Sequence, residues 1–572
     1  MFRVDQIVSE HYPALAERAF YRPLLRPILR HMLHEEEFLW FAERYPHLHG
    51  IDFVEQALDY FDCSYAVSAR QRENIPAAGR VVIIANHPIG SLDGLCLLKL
   101  IHEIRSDVRI VANDLLHSLV NLRSCLLPVR NMTGNSSRQH LRRISQALEN
   151  EEAVIIFPAG EVSRLGAHGI RDGRWRPGFL KMAETARAPI LPIHVAGRNS
   201  SLFYLSSLVA KPLSTLLLVG EMFHQPSRQL QLTIGRIIPF KHYQSPGLSR
   251  REKVRVFKRH LYNLGAGKRP LFTTESAVAP RERRIELKKE LRKAELLGKT
   301  PDGKKIFLFQ PDRSSVVMRE LGCLRELAFR AVGEGTGDRR DLDGFDWYYR
   351  HLFLWDEEGL EIAGAYRFVD SAEVLREKGT SGLYSASLFN YGAEHAYFLE
   401  NGLELGRSFV QPRYWGNRSL DYLWFGIGAF LRENPGYRYL FGPVSISAAM
   451  PPAARELLVY FYRLYFGASG PNRCSRNPFS YSQPLATLAE QFSGTDYRAD
   501  FRRLKNLLAN LGTAVPPLYK QYAELCDPGG VVFVDFNIDP AFNNCVDGLV
   551  IVDTHRLKAK KRQRYIETAN LV

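Results

Sequence analysis

The chain has 572 residues, long enough for more than one domain with its own core. Its 45% hydrophobic and 24% charged residues exclude wholesale disorder, and no window reaches the roughly 18 uninterrupted apolar residues of a membrane span. The net charge of +15 favours anionic partners, among them nucleic acid, lipid headgroups and acidic carrier proteins.

Residues 1–60 read as a helical extension. Arg18, Arg22, Arg26 and Arg30 recur every four positions beside Leu25, Leu29 and Leu33, while Pro23 and Pro27 interrupt the helix. That face is either a basic interfacial anchor or a solvated surface on a short helix pair. From 61 to 270, strand-like runs at Val81–Ala85, Val108–Ala112, Ala153–Phe157, Ile190–Val195 and Leu230–Ile234 alternate with helical stretches. This predicts an α/β domain with a mixed, largely parallel sheet whose active loops follow strand ends. Leu202–Phe223 is the most apolar segment, but Lys211 and Pro212 interrupt it, and it reads as a core element.

Residues 271–300, with seven Lys or Arg from Arg281 to Lys293 interleaved with Glu, predict a charged helical linker. A second α/β domain is predicted for 301–572. Its strands fall at Ile306–Phe309, Trp347–Trp355, Glu361–Phe368, Leu403–Val410, Tyr437–Phe441 and Val531–Phe536, with helices at Ser315–Arg330, Arg418–Glu433, Ala453–Tyr465 and Arg498–Leu511. Lys558, Lys560, Lys561, Arg562 and Arg564 form a basic tail. The seven cysteines are scattered without a CxxC pair or a metal-ligand spacing, which predicts reduced thiols and no metal site.

Four blocks of the first domain carry chemistry. The strand Val81–Ala85 empties into Asn86-His87-Pro88-Ile89-Gly90-Ser91-Leu92-Asp93, where a carboxylate can fix the tautomer of a histidine serving as general base. Leu127-Pro128-Val129-Arg130 and Phe157-Pro158-Ala159-Gly160-Glu161-Val162-Ser163-Arg164 put arginines and an acid on loops at strand ends, suited to phosphate or carboxylate. Ala188-Pro189-Ile190-Leu191-Pro192 is a strand framed by prolines.

In this order the four blocks resemble the glycerolipid acyltransferase family, across roughly residues 60–250. The resemblance implies that His87 deprotonates an acceptor hydroxyl, that Asp93 orients it, and that Asn86, Arg130, Glu161 and Arg164 bind the acceptor's polar head. It also implies a thioester as acyl donor. Two features depart from the family pattern: five residues rather than four separate His87 from Asp93, and the acid of the Phe-Pro-Glu-Gly block is displaced to Glu161.

In the second domain, Gly402–Val410 runs into a turn in which Gly416, the expected cap Asn417 and Arg418 make a helix N-terminus suited to a phosphopantetheine phosphate. Together with Arg330, Asp341–Asp346, Arg367 and Glu404–Arg407, the pattern resembles acyl-homoserine-lactone synthases of the GNAT-like superfamily and, more closely, the ornithine N-acyltransferases also known as hemolysins. That resemblance implies that Glu404 accepts the amine proton, that Arg407 holds Glu404 or the substrate carboxylate, and that Arg330, Asp346 and Arg367 shape the amino-acid pocket.

The fusion resembles the bifunctional ornithine lipid synthases. It implies N-acylation of ornithine with a 3-hydroxyacyl group from acyl carrier protein, then O-acylation of the resulting lyso-ornithine lipid by the first domain. No tightly bound cofactor is implied; acyl carrier protein and an anionic membrane surface are the expected partners, at the cytoplasmic face of the membrane. The alternatives are a hemolysin-like lipid-surface binder, or an acyltransferase acting on another amino acid or a lysophospholipid. Nucleic acid is not an expected partner, because the basic residues lack an interleaved aromatic stacking surface.

Overall fold

In the computed structural model the described residues are 4–5, 8, 25–113, 120–129, 138–166, 169–209, 218–223, 228–244, 247–468 and 474–567. They form two compact units, Met1–Pro280 and Arg281–Val572. Both are α/β, as the alternation of strands and helices predicts.

The first unit holds β1 (Cys63–Ala66), β2 (Val81–Ala85), β3 (Val108–Asn113), β4 (Leu126–Val129), β5 (Ala153–Ile156), β6 (Arg164–Gly166), β7 (Gly169–Arg171), β8 (Ile190–Ala196) and β9 (Arg228–Ile234). Seven of these make one sheet in the order β1-β9-β8-β2-β5-β3-β4, parallel at every pair except β8–β9, and β6–β7 is a separate hairpin. The central strand β2 is buried along its whole length because both faces are covered, which is why it reads as an unbroken apolar run. Val81, Ile83 and Ala85 pack on α1 (Gly50–Tyr60) and α2 (Ser91–His102). Val82 and Ile84 pack on α3 (Arg138–Glu149), α4 (Gly178–Ala186) and α5 (Arg250–Gly265). The strands absent from the sequence reading are the hairpin β6–β7 and, in the main sheet, the two short edges β1 and β4, which carry Ser64 and Pro128.

The N-terminal extension is helical over Arg26–Met32 and Glu35–Arg44. Of its four spaced arginines, Arg18 and Arg22 lie outside the described residues, while Arg26 pairs with Asp5 at 2.7 Å and Arg30 with Glu35. Arg26 and Arg30 thus have acidic partners within the extension. Among the described residues no helix is long and apolar enough to cross a membrane.

The second unit holds β10 (Glu295–Lys299), β11 (Lys305–Phe309), β12 (Arg350–Asp356), β13 (Glu361–Asp370), β14 (Gly402–Val410), β15 (Tyr439–Ile446), β16 (Val531–Asp539) and β17 (Cys545–Asp553). They form one sheet in the order β10-β11-β12-β13-β14-β15-β17-β16. Alternation sends Phe307, Phe309, Phe353 and Trp355 toward α6 (Arg284–Glu290) and α7 (Val316–Ala331). It sends Ile306, Leu308, Leu352 and Leu354 toward α8 (Ser419–Glu433), α9 (Pro452–Phe466) and α10 (Tyr497–Asn510). The stretch expected as a helical linker is therefore helix only in part; α6 and the edge strand β10 belong to this second unit. The expected strand Trp347–Trp355 begins at Arg350, because a capping box between Asp343 and Asp346 winds Gly344–Trp347 into a 3₁₀ turn.

All neighbours in the second sheet are antiparallel except β14 and β15. Those two pair in parallel over Gly402–Glu404 and Tyr439–Phe441 and then separate. Beyond that point β14 stays on β13 and β15 stays on β17. The sheet splits at Gly442, whose φ is +155° and whose hypothetical Cβ would lie 2.1 Å from the Leu405 carbonyl oxygen. Only glycine fits this crossing of two backbones. Gly442→Ala is expected to cost the second unit about 1–3 kcal/mol through overpacking, read as a lower denaturation midpoint for its unfolding transition.

Candidate active sites

The first site lies where β2 and β5, paired through Ile84 and Ile156, reach their C-terminal ends side by side. After β2 the chain turns through Gly90 at φ +120° and enters α2, so Asp93 sits in the first helical turn. The buried Asp93 carboxylate accepts the N–H groups of Ile89 (2.9 Å) and Gly90 (3.2 Å) through Oδ2. The same oxygen lies 3.2 Å from Nδ1 of His87. The Gly90 turn thus absorbs the fifth intervening residue and brings the imidazole within ion-pair distance of the carboxylate, without an aligned hydrogen bond between them. The imidazole stacks on Phe157 with ring centroids 4.0 Å apart, and facing Nδ1 to Asp93 puts Nε2 on the opposite edge of the ring.

The loop after β5 is tied to the loop after β2 by a network that the sequence reading missed. Ser163 donates its N–H to the His87 carbonyl at 2.7 Å and its hydroxyl to Asp172 at 2.6 Å. Asp172 also accepts the His87 N–H and the Trp175 indole N–H. Burial pushes the Asp172 carboxyl up, and these donors counter it. Glu161 and Arg164 lie 3.9 Å apart on the same loop, with the guanidinium 5.9 Å from the Phe203 ring. Asn86 does not face a ligand: both ends of its amide pair with the Val195 backbone at 2.8 Å, locking β2 to β8. Arg130 lies outside the described residues.

The second site lies at the β14–β15 split. A bulge in β14 between its Ala365 and Arg367 partners holds Arg407 at φ +47°. Its Nε is 3.1 Å from Asp341, its Nη2 3.6 Å from Asp343, and its Nη1 donates to the Tyr384 hydroxyl at 3.0 Å. Burial lowers the basicity of Arg407, but Asp341 and the other neighbours outweigh it and hold the guanidinium charged.

Other predicted residues have structural partners. Glu404 does not meet Arg407. Its carboxylate accepts the N–H groups of Ser385 (2.6 Å) and Tyr384 (3.1 Å) and the Tyr349 hydroxyl, so it anchors the 384–387 turn and its oxygens are already occupied. Arg367 and Asp346 are fully buried in an ion network: Arg367 forks onto Asp343 at 2.7 and 2.9 Å and reaches Asp346 at 2.9 Å, while Arg325 reaches Asp346 at 2.7 Å. His351 completes it, donating from Nε2 to the Asp346 carbonyl, and burial lowers its pKa to about 3. Arg330 donates to Glu326 (2.6 Å) and to the Asp338 carbonyl (2.7 Å), stitching down the loop that carries Glu334. Asn417 is not the cap of α8; that position is Arg418, whose guanidinium turns toward Asp421 at 3.3 Å and the Tyr422 ring, with Gly416 at φ +80° before it.

Residues 6–268 match the family described as Acyltransferase, and residues 324–425 match the Acetyltransferase (GNAT) domain. The glycine N(alpha)-acyltransferase of Phocaeicola vulgatus is 30% identical over 307 residues, covering 51% of this chain and 93% of that protein. The lyso-glycine lipid O-acyltransferase of the same organism is 30% identical over 222 residues, covering 38% and 78%. The L-ornithine N(alpha)-acyltransferase of Brucella abortus is 28% identical over 294 residues, covering 46% and 96%. The chain belongs to the acyltransferases. It carries an acyltransferase unit and a GNAT unit on one polypeptide.

In the GNAT unit of this acyltransferase the sequence reading missed a group of carboxylates at the split. Asp547 on β17 is directly opposite Ser445 on β15, and the Ser445 hydroxyl donates to Glu334 at 3.0 Å. Burial, Asp539 and Glu334 push Asp547 up to about 8, and burial pushes Glu334 up to about 7. The available signal was Asp547-Gly548 interrupting the apolar run of β17, a polar residue where a strand interior calls for a hydrophobic one. Because the folded pKa of Asp547 exceeds the ordinary carboxylate value, the folded state keeps a proton that the unfolded chain has released. Its contribution therefore makes the GNAT unit less stable as pH rises from about 4 to 8, by at most about 1.4 kcal/mol per pH unit, and levels off above that. Asp547→Asn is expected to remove this share of the slope in urea titrations run across pH, leaving that of Glu334.

Proposed function

We propose that the chain is a two-step aminolipid synthase. The GNAT unit transfers a 3-hydroxyacyl group from acyl carrier protein to the α-amine of ornithine, and the first unit then acylates the new hydroxyl from a second acyl thioester. One observation carries this reading: a single chain is similar both to an amino-acid N-acyltransferase and to the O-acyltransferase of an N-acylated amino acid, the second acting on the kind of molecule the first makes. In each step a nucleophile attacks a thioester, so a positioned base and proximity supply much of the rate. In the O-acyl step His87 takes the hydroxyl proton through Nε2, Asp93 stabilises the imidazolium, and Glu161 and Arg164 face the acceptor head.

Ornithine as acceptor is supported by the carboxyl groups at the split, Glu334, Asp341, Asp539 and Asp547 beside Arg407, where a second ammonium would favour the ionised forms of Glu334 and Asp547 that burial disfavours. Glycine is the second reading, favoured by the 30% identity to the glycine enzyme. The net charge of +15 suits an acidic carrier protein and an anionic membrane surface, where the enzyme would sit peripherally.

Expression in a host without aminolipids, followed by mass spectrometry of ninhydrin-positive lipids, tests the reading, and the head-group mass distinguishes ornithine from glycine. His87→Ala is expected to leave the monoacylated lipid accumulating. Persistence of the diacylated product would remove His87 from the O-acyl step, and membrane association with no new lipid from the wild-type chain would favour a lipid-surface binder.

A further inference from the structure

The buried and half-buried carboxylates around the β14–β15 split fall into two groups by what they accept. Glu404 accepts the N–H groups of Tyr384 and Ser385, Asp343 those of Phe345 and Asp346, Asp346 that of Asp343, and Asp539 that of Ala541. Each is committed to holding a loop in shape. Asp341 faces Arg407. Asp547 and Glu334 differ: the hydrogen bonds they receive come from side chains, the Cys545 thiol at 3.6 Å and the Ser445 hydroxyl at 3.0 Å. Neither fixes a turn, yet both are held almost out of solvent, 5% and 7% exposed. Burying a carboxylate without strong donors is costly, and such cost recurs where a group must change protonation during a reaction.

We propose that Asp547 is the base that takes the proton of the acceptor amine at the split, with Glu334 positioned beside it through Ser445. This assignment rests on the N-acyl-transfer reading of the GNAT unit. The amine arrives as an ammonium and gives one proton to the Asp547 carboxylate. Its nitrogen then attacks the carbonyl carbon of the acyl thioester, forming the C–N bond as the C–S bond breaks. The departing sulfur takes a second proton from nitrogen, the third stays on the amide, and Asp547 releases its proton to water. The groups that set the charge of Asp547 are Asp539 on β16, Cys545 on its own strand, Glu334 after α7, Arg407 on β14, Tyr384, and Tyr519 in the helix Pro517–Ala523. Only Arg407 among them is a cation, so Asp547 is a better proton acceptor than an ordinary carboxylate.

The test uses the full chain with acyl carrier protein thioester, following N-acylation and, separately, O-acylation of a supplied monoacylated aminolipid. In the wild type, kcat/KM for N-acylation is expected to rise with pH and level above about 8. Asp547→Asn is expected to lower kcat about 10²–10⁴-fold, to abolish that rising limb, and to leave O-acylation unchanged. Asp547→Glu is expected to keep the limb at a reduced rate, and Glu334→Gln to move its midpoint down. Wild-type N-acylation with an intact limb in Asp547→Asn overturns the assignment. Should Asp547→Asn lower the melting temperature of the GNAT unit, Asp547→Glu decides, since loss of the pH limb in that variant while N-acylation persists overturns it equally. A wild-type chain that O-acylates the supplied lipid but N-acylates no amino acid overturns the functional reading itself, which is a different result from either.

Discussion

A buried carboxylate that accepts adjacent backbone N–H groups is the interaction on which both units depend. Loops at sheet ends leave donors that no strand or helix can satisfy, and an unsatisfied buried N–H costs as much as a lost hydrogen bond. Asp93 resolves this for Ile89 and Gly90, and Glu404 does so for Tyr384 and Ser385. Glu326 serves Thr336 and Gly337 in the same way, and Asp535 serves Cys474 and Ser475. Without these acids the functional loops would have no fixed shape.

In the first unit one such carboxylate has two tasks. Asp93 satisfies the turn and faces His87 with the same oxygen, so the geometry of the dyad and that of the loop are one constraint. Asp172 extends it by holding the His87 N–H and the Ser163 hydroxyl together, which makes the ends of β2 and β5 a single platform. In the GNAT unit the tasks are divided. Glu404, Asp343 and Asp346 shape the loops, an Arg325–Asp346–Arg367–Asp343 network ties α7 and the Gly344–Trp347 turn to β13, the neighbour of the strand that presents Arg407, and the acids free of backbone duty gather at the split. Removing one member of such a network leaves an unpaired buried charge, so it resists piecemeal change.

Much of this was legible from the residues. Unbroken apolar runs identified β2, β5 and β8, and helical periodicity identified α7 to α10 within a residue or two. His87 and Asp93 were legible because a strand, a turn and a helix start are local features. What escaped was short, at an edge, or polar inside a strand: β1, β4, β6, β7, β10 and β17. Arg407, three residues from Glu404 in sequence, was read as holding either that acid or the substrate carboxylate. The bulge at Arg407 sends its side chain to Asp341 and Asp343, while Glu404 turns to the 384–387 loop.

The sequence by itself determined the two α/β units and the strand-to-loop delivery of the histidine and its acid, because these follow from local strand, turn and helix patterns, while the acyl-transfer chemistry was implied by the resemblance of several such blocks taken in order. Only the tertiary structure decided which carboxylates hold loops and which carry no backbone hydrogen bond. That choice depends on the donors each acid meets, and at the split those come from segments far apart in the chain, such as Ser445 with Glu334 and Tyr384 with Glu404. It likewise decided that His87 and Asp93 approach to 3.2 Å across five intervening residues, since the Gly90 turn sets that distance and the spacing does not.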